Sequence, residues 1–333
     1  MIELRRLDKS EDLALFRKGE GSRLYHIQLN PFFAHAYLLP MMAFQEGKFL
    51  GRFAAFTDED YFRRNKVNPV FWADIDGALD RHPEILKPLM DDLIRWARLR
   101  GAQVIRGPVA VGFQHGPGLS VENGKVDEGC AKLNLAKKKD FFTYTIDLLS
   151  RQSTEFVLGQ TTRFREETGV QVRTLNFSKI AQESEKMNEV YSELHRGDAS
   201  LKFFDSRSLE FELSELKKRI NPDLCLIAEV RDEFAGCILA LSEGASRLIP
   251  QWLGGGVKSD SAEIVFWGAR RVFRDMGMLP FLFLELFERS FRKGLKQMQI
   301  SSVREDDVEL REILRQAGAV PQTSARVFDL NLS

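Results

Sequence analysis

Residues 226–241 read LIAEVRDEFAGCILAL, two apolar runs joined by the polar turn Arg231-Asp232-Glu233. Short apolar runs on either side of such a turn predict a β-hairpin. Residues 42–58, MAFQEGKFLGRFAAFTD, repeat this design around the turn Glu46-Gly47-Lys48. Three residues of the first hairpin coincide with three of the second at one constant offset, namely Ala43, Phe49 and Gly51 with Ala228, Phe234 and Gly236. The two segments are therefore candidates for an internal repeat.

The segments that follow the two hairpins also correspond. Residues 85–100 carry apolar side chains at helical spacing, Gly101 ends this predicted helix, and the strand-like run AQVIRGPV follows. Residues 279–287 carry a second apolar stripe, Gly294 ends the helix, and LKQMQISSV follows. Two copies of one hairpin, helix and strand unit explain both halves of the chain.

The length of the chain agrees with two domains, and its composition bears on the partners and the cellular location to expect. At 333 residues the chain is long enough for two domains, which the repeat places at 1–150 and 151–333. The 48 basic and 48 acidic residues give a net charge of zero, so no chain-wide attraction to nucleic acid or to an anionic membrane is expected. No stretch resembles a membrane span or a secretory signal. The three cysteines and five histidines are scattered, which predicts a cytoplasmic protein without disulfides or a metal centre.

Four short motifs resemble those of tandem GNAT N-acetyltransferases. This group includes bacterial proteins with two GNAT-like domains. The motifs are Asn30-Pro31-Phe32-Phe33, Gly51-Arg52, Arg106-Gly107-Pro108 and Glu305-Asp306-Asp307. The resemblance covers almost the whole chain. It implies an α/β (α+β) fold, with a mixed central sheet flanked by helices in each of the two domains.

The resemblance also implies a site for acetyl-CoA as co-substrate. In GNAT proteins a bulged strand exposes backbone groups to the pantetheine arm, and an Arg/Gln-x-x-Gly-x-Gly/Ala loop at a helix N-terminus holds the pyrophosphate. The corresponding residues of this chain are Phe266, Trp267, Gly268, Arg274, Met276, Gly277 and Met278. Leu279 replaces the last small residue of the loop, and Asp275 adds a negative charge. Gly277 as a plain turn glycine, with the arginines on a solvated rim, stays open as the alternative.

The corresponding segment of the first copy, residues 76–83, is acidic and lacks the loop pattern. The first domain is therefore not expected to bind CoA in this way.

Three carboxylates are the catalytic candidates, Glu263, Glu305 and Asp307. Burial at a strand end beside a cleft can tune such a group towards a base that works at neutral pH. Acidic residues at a strand-to-helix junction also serve as N-caps, so a structural role for the last two stays open. The resemblance places the proton-donating Tyr of many GNAT enzymes at Leu314, which has no hydroxyl. A proton donor must therefore come from elsewhere or is not required.

Other candidates have simple structural explanations. His115 in a Gly/Pro loop is a candidate for proton transfer or an exposed loop residue, and Trp252 with Gly254-Gly255-Gly256 is a candidate lid or a surface loop. Cys237 is expected to be a packed thiol. The run Lys137-Lys138-Lys139 is expected to be a solvated edge rather than a nucleic-acid site.

The predicted function is transfer of an acyl group from acetyl-CoA to an unknown small amine or amino-acid-like acceptor by the C-terminal domain. The alternatives are a non-catalytic protein that keeps the fold and an aminoacyl-tRNA-dependent transferase, which the neutral charge disfavours. No nucleic-acid, metal or membrane partner is expected, and the chain is predicted to be a monomer or a homodimer.

Overall fold

The structure is a computed structural model that describes residues 1–7, 14–16, 30–31, 37–110, 116–122, 124–150, 161–194, 205–217, 220–242 and 260–332. These residues form two compact units. Within the described ranges, unit 1 comprises Met1–Phe141 and Thr323–Ser333, and unit 2 comprises Phe142–Arg196 and Phe204–Gln322.

Unit 1 contains a sheet in which the first five strands lie in chain order. The strands are β1 Ile2–Arg6, β2 Leu38–Gln45, β3 Lys48–Phe56, β4 Pro69–Asp74, β5 Val104–Gly107 and the short β6 Leu119–Ser120. Neighbours in the order β1 to β5 are antiparallel except β4 and β5, which are parallel. The first predicted hairpin is β2–β3. Glu46 and Gly47 form its turn at φ of 51° and 78°, as a two-residue turn with two positive φ angles requires.

The helices of unit 1 pack against this sheet. They are α1 Glu59–Asn65, α2 Ala78–Arg81, α3 Leu86–Arg98 and α4 Gly124–Lys132, with a 3₁₀ turn at Pro83–Ile85. The helix predicted between the two parallel strands is α3, and it is confirmed. Its predicted apolar stripe is buried in the core of unit 1, at Leu86, Leu89, Met90, Leu93 and Ala97.

Unit 2 repeats the arrangement of unit 1. Strand β7, Ala136–Asp147, passes from unit 1 into unit 2 after Phe141. The strands that follow are β8 Gln171–Thr174, β9 Cys225–Val230, β10 Glu233–Ser242, β11 Ser261–Ala269 and β12 Gln297–Arg304. β8 to β11 are antiparallel neighbours, whereas β11 and β12 are parallel. A hairpin followed by a parallel pair thus occurs in both units, which confirms the internal repeat.

The helices of unit 2 are α5 Thr161–Thr168, α6 Ile180–Leu194, α7 Ser206–Leu216, α8 Arg271–Arg274, α9 Met278–Arg292 and α10 Val308–Gln316, with 3₁₀ turns at Phe177–Lys179 and Pro222–Leu224. α9 connects the parallel strands, and ten of its fifteen residues are buried. The ring of Phe164 on α5 stacks on Phe281 of α9 at 4.9 Å, and Arg165 pairs with the buried Glu285. α5 therefore covers part of α9 with both apolar and charged contacts.

The last strand, β13 Val320–Asn331, belongs from Thr323 onward to unit 1. Its end pairs antiparallel with β5. The buried Arg106 of β5 donates two hydrogen bonds of 2.7 Å to Asp329 of β13, and a buried guanidinium needs such a partner.

β13 therefore lies in unit 1 from Thr323 onward, although the repeat places residues 151–333 in one domain. Local periodicity cannot reveal a pairing between residues so far apart in the chain. The limits 1–150 and 151–333 follow the two copies of the repeat, whereas the compact units divide the chain elsewhere.

Candidate functional site

β11 and β12 pair along only the first part of their length. Their parallel register runs from Ser261 opposite Gln297 to Ile264 opposite Ile300. Both strands continue beyond that point, and no further pairing between them follows within the described residues. We call the opening between residues 265–269 and 301–304 the fork. A separation of this kind between two strands leaves room for a ligand that bonds backbone groups.

Two backbone irregularities coincide with the start of the fork. In the pairing of β10 with β11, Leu239 lies opposite Phe266 and Ala240 lies opposite Ile264, so Val265 is an extra residue. This is the β-bulge that the resemblance implies, and such a bulge bends its strand. On β12, Ser302 has a φ of 63°, which is uncommon for a residue other than glycine. Both strands therefore leave regular geometry at the same level.

Beyond the bulge, one face of β11 packs against α6. Tyr191 of α6 stacks on Phe266 with the ring centroids 5.3 Å apart. A Cβ atom on Gly268 would lie 2.5 Å from Cγ1 of Val190. Only glycine permits this close approach, which explains why the sequence has a small residue at this point of the strand.

Trp267 supplies a hydrogen-bond donor on the β11 side of the fork. Its side chain belongs to the core of unit 2 and is only 8% exposed. Its indole Nε1 has no hydrogen-bond partner among the residues that the structure describes, although a buried unpaired donor is costly. A pantetheine arm carries amide and thioester carbonyl oxygens that accept hydrogen bonds. The fork and this donor therefore fit the arm of acetyl-CoA.

Of the three predicted carboxylates, Glu263 lies at the base of the fork. Ser301 Oγ of β12 donates a hydrogen bond of 2.7 Å to Glu263 Oε1. This bond orients the carboxylate and leaves Oε2 available to accept a proton or a hydrogen bond.

The other two carboxylates lie in the turn after β12. Asp307 is the N-cap of α10 and accepts a hydrogen bond of 3.1 Å from the amide of Leu310. The backbone carbonyl of Glu305 accepts a hydrogen bond from Arg311. Leu314, at the position of the family's Tyr, is completely buried in the core of unit 2. The geometry therefore supports a capping role for Asp307 and leaves Glu263 as the carboxylate of the fork.

The predicted pyrophosphate loop is folded as a helical turn. Four of its backbone amides donate hydrogen bonds of 2.8–3.2 Å to backbone carbonyls of residues 270–274. They are the amides of Arg274, Asp275, Met276 and Gly277. Gly277 has a φ of 94° and is the N-cap of α9, where a left-handed conformation favours glycine. The first amides of α9, those of Met278 and Leu279, have no intrahelical acceptor, and Pro280 has no N–H. Two amides and the helix dipole are thus the groups of this loop that could hold an anion.

Two of the three arginines near this loop have carboxylate partners. Arg270 pairs with Glu189 at 3.0 Å, and Arg274 pairs with Glu309 of α10 at 3.6 Å. Burial raises the pKa of Glu309, although Arg274 opposes this shift. Arg271 is exposed, as is Met276 at 53%. The sequence contains no local signal for Glu309, because its contact with the loop depends on where α10 packs.

In the corresponding segment of unit 1, a carboxyl group of the chain itself occupies the start of the helix. The carboxylate of Asp74 accepts hydrogen bonds of 2.8 Å from the amides of both Ala78 and Leu79 at the start of α2. Asp76 accepts from Arg52 at 2.9 Å. These contacts engage the first amides of α2 and the guanidinium of Arg52 within unit 1.

The remaining candidates do not add to the fork. All three cysteines are buried and free, and burial raises the pKa of the Cys237 thiol, which confirms a packed thiol. Lys137 pairs with Asp140 at 2.9 Å. His115 and the segment from Trp252 to Gly256 lie outside the described residues. In the part of the chain that the structure describes, no cluster of side chains could hold a metal ion, and no helix is long and apolar enough to cross a membrane.

Several solved structures share the fold of this chain. A tandem GNAT protein from the clavulanic acid biosynthesis pathway aligns with 100% of this chain and 99% of its own, at 12% identity and a TM-score of 0.58. A GCN5-related N-acetyltransferase from Anabaena variabilis aligns with 100% of this chain and 73% of its own, at 10% identity and a TM-score of 0.54. A conserved protein from Enterococcus faecalis gives the same coverage and identity with a TM-score of 0.57. No protein-family model and no curated protein matches the chain. At these identities the likeness concerns the fold, and the fold of this chain is that of the tandem GNAT N-acetyltransferases.

Proposed function

We propose that unit 2 transfers an acyl group from a pantetheine thioester, with acetyl-CoA as the simplest donor, to an amine. The observation that carries this proposal is the fork, which opens where Val265 bulges out of β11. A linear arm with amide groups can lie between separated strands and bond their backbone groups, much as an added strand would.

Three parts of unit 2 would hold the donor. The backbone of residues 266–268 and the indole Nε1 of Trp267 would bond the pantetheine arm, and the amides of Met278 and Leu279 would face the pyrophosphate. When bound, the donor supplies an activated thioester carbonyl. Arg271 adds positive charge near the loop. Unlike Arg270 and Arg274, it has no carboxylate partner among the residues that the structure describes.

Glu263 would act as the base of the reaction. Its Oε2 accepts a proton from the amine as the amine nitrogen bonds to the thioester carbon and the carbon–sulfur bond breaks. Ser301 keeps the carboxylate oriented through Oε1. Because the side chain of Leu314 cannot donate a proton, the leaving thiolate takes its proton from water, which suits a thiol with a pKa of about 8.5.

A thiol-release assay with acetyl-CoA and a panel of amines tests this function. The Glu263→Gln variant is expected to lower kcat by about 100-fold, with no change in the affinity for CoA measured by calorimetry. Glu233→Gln, a change at the exposed first residue of β10, is the matched control and should leave kcat unchanged. Full activity of Glu263→Gln would refute the role of Glu263. Absence of both turnover and CoA binding would refute the function.

A non-catalytic module that binds a pantetheine compound is the second candidate. Two observations favour it. The loop amides already donate hydrogen bonds to backbone carbonyls of residues 270–274. Leu314 is buried at the position where the resemblance implies a Tyr. Saturable binding of CoA without turnover of any amine in the panel would decide for this candidate.

A further inference from the structure

Unit 1 contains a cavity of about 330 Å³ away from Asp74 and the start of α2. It lies where β3 ends, β4 begins and α3 ends, and we call it the unit 1 cavity. Its main lining residues are Tyr37, Thr57, Asp58, Phe62, Leu99 and Arg100. This volume is at the lower end of the range for small-molecule sites. In open α/β sheets, ligands usually bind at the carboxyl ends of the parallel strands, so this cavity is distinct from the usual location.

Arg100 presents a fixed donor in the unit 1 cavity. Its guanidinium carbon lies 4.5 Å from the ring centroid of Tyr37 and 4.3 Å from that of Trp96. Contact with aromatic rings stabilises a guanidinium and restricts its orientation. Its Nε is buried and has no hydrogen-bond partner among the described residues. A carboxylate that accepts from this edge of the guanidinium would remove the cost of the unpaired donor.

Thr57 adds a second unpaired polar atom. Its Oγ1 is buried without a hydrogen-bond partner in the described part of the chain, and both this residue and Arg100 line the same cavity. Two residues that line one cavity thus each carry a buried polar atom without a partner, which favours a polar ligand over an apolar one.

Negative charge borders the same cavity. Asp58 uses Oδ1 to cap α1, through a hydrogen bond of 2.7 Å from the amide of Tyr61. Its other carboxylate oxygen can accept from a ligand. Glu59 also lines the cavity. A ligand that carries both a carboxylate and an ammonium group would match this pairing of charges.

Exposed apolar side chains complete the unit 1 cavity. Tyr37, Phe62 and Leu99 are 51%, 47% and 85% exposed, and all three line the cavity. Single exposed hydrophobic residues are ordinary, but a group of three around one concave site is typical of a binding site.

We propose that the unit 1 cavity binds an α-amino acid with an apolar side chain. Arg100 and Thr57 bind its carboxylate, Asp58 binds its ammonium group, and Tyr37, Phe62 and Leu99 contact its side chain. The site belongs wholly to unit 1, and it does not depend on acyl transfer in unit 2.

Calorimetric titration of the full chain with L-phenylalanine and L-leucine tests this proposal. Phenethylamine, which lacks the carboxylate, and phenylacetate, which lacks the ammonium group, are expected to bind about tenfold or more weakly. Arg100→Gln should weaken binding of L-phenylalanine by a similar factor, and Arg98→Gln, an exposed change at the end of α3, should not.

Thr57→Val separates a ligand role from a structural one. Because the hydroxyl has no partner in the free protein, its removal should leave the melting temperature unchanged or raise it, while the affinity for L-phenylalanine falls about tenfold. The proposal is overturned if neither amino acid gives saturable heat at millimolar concentration. It is also overturned if phenethylamine binds as tightly as L-phenylalanine, or if Thr57→Val lowers the melting temperature and leaves the affinity unchanged.

Discussion

Replacing Asp74 with Asn is expected to remove a pH-dependent cost from the stability of unit 1. The carboxyl group is buried between β4 and the start of α2, and burial raises its pKa from 3.8 to about 7. The hydrogen bonds from the amides of Leu79 and Ala78 oppose this shift without cancelling it. The folded protein therefore holds a proton on Asp74 over a pH range in which the unfolded chain has lost it.

The sign and size of the effect follow from this difference in pKa. A group whose pKa is raised in the folded state stabilises that state fully below its unfolded pKa, and the stabilisation is lost as the pH rises through the folded pKa. One unit of pKa corresponds to about 1.36 kcal/mol. Between pH 5 and pH 8, the free energy of unfolding of the wild type should therefore fall by about 2.5 kcal/mol because of Asp74. The Asp74→Asn variant lacks this fall.

The assay is urea unfolding of the full chain at pH 5 and pH 8, with unit 1 followed by hydrogen–deuterium exchange in peptides from α3. Asp91→Asn is the control, since Asp91 is an exposed carboxylate on α3 that pairs with Lys87. The free energy of unfolding of Asp74→Asn minus that of the wild type should be larger at pH 8 than at pH 5. For Asp91→Asn this difference should be the same at both pH values. If the stability difference between Asp74→Asn and wild type is the same at pH 5 and pH 8, this reasoning is refuted, because the carboxylate would then be charged at both pH values.

Two further predictions concern packing and capping. Gly51→Ala should lower the free energy of unfolding of unit 1 by about 1–3 kcal/mol, because the new Cβ would lie 2.2 Å from Cβ of Ala78. Gly124→Ala, where a Cβ meets nothing within 4 Å, should leave it unchanged or raise it; equal losses in the two variants would contradict the packing argument. Asp307→Ala should cost unit 2 about 1 kcal/mol in urea unfolding, because the amide of Leu310 loses its cap. A fall in acyl transfer without a change in stability would instead indicate a catalytic role for Asp307.

Short-range patterns predicted most of the elements of the fold. The hairpins β2–β3 and β9–β10 and the helices α3 and α9 have their signals within about 20 residues, since turn chemistry and helical spacing are local. The position of β13 has no such signal. It depends on the pair Arg106–Asp329, whose members are far apart in sequence.

The candidate site was predictable only in part, for the same reason. The pattern around Gly277 locates the start of α9, but not the hydrogen bonds that engage the loop amides. Sequence alone made both Glu263 and Asp307 candidate bases, with a capping role left open for Asp307. Strand register distinguishes them, because it places Ser301 beside Glu263 at the base of the fork. The unit 1 cavity is lined by side chains from several elements of one unit, so no single stretch of sequence predicts it.

The indole N–H signal of Trp267 offers the most direct test of thioester binding in the fork. The chain has four tryptophans, so a sample labelled with ¹⁵N-tryptophan gives few signals, and the Trp267→Phe variant assigns the one of interest. Titration with acetyl-pantetheine or with acetyl-CoA should shift that signal in a saturable way, because the unpaired donor gains a carbonyl acceptor. Saturable binding that leaves the Trp267 signal unmoved, or no binding of either compound, would contradict an acyl-thioester site in the fork.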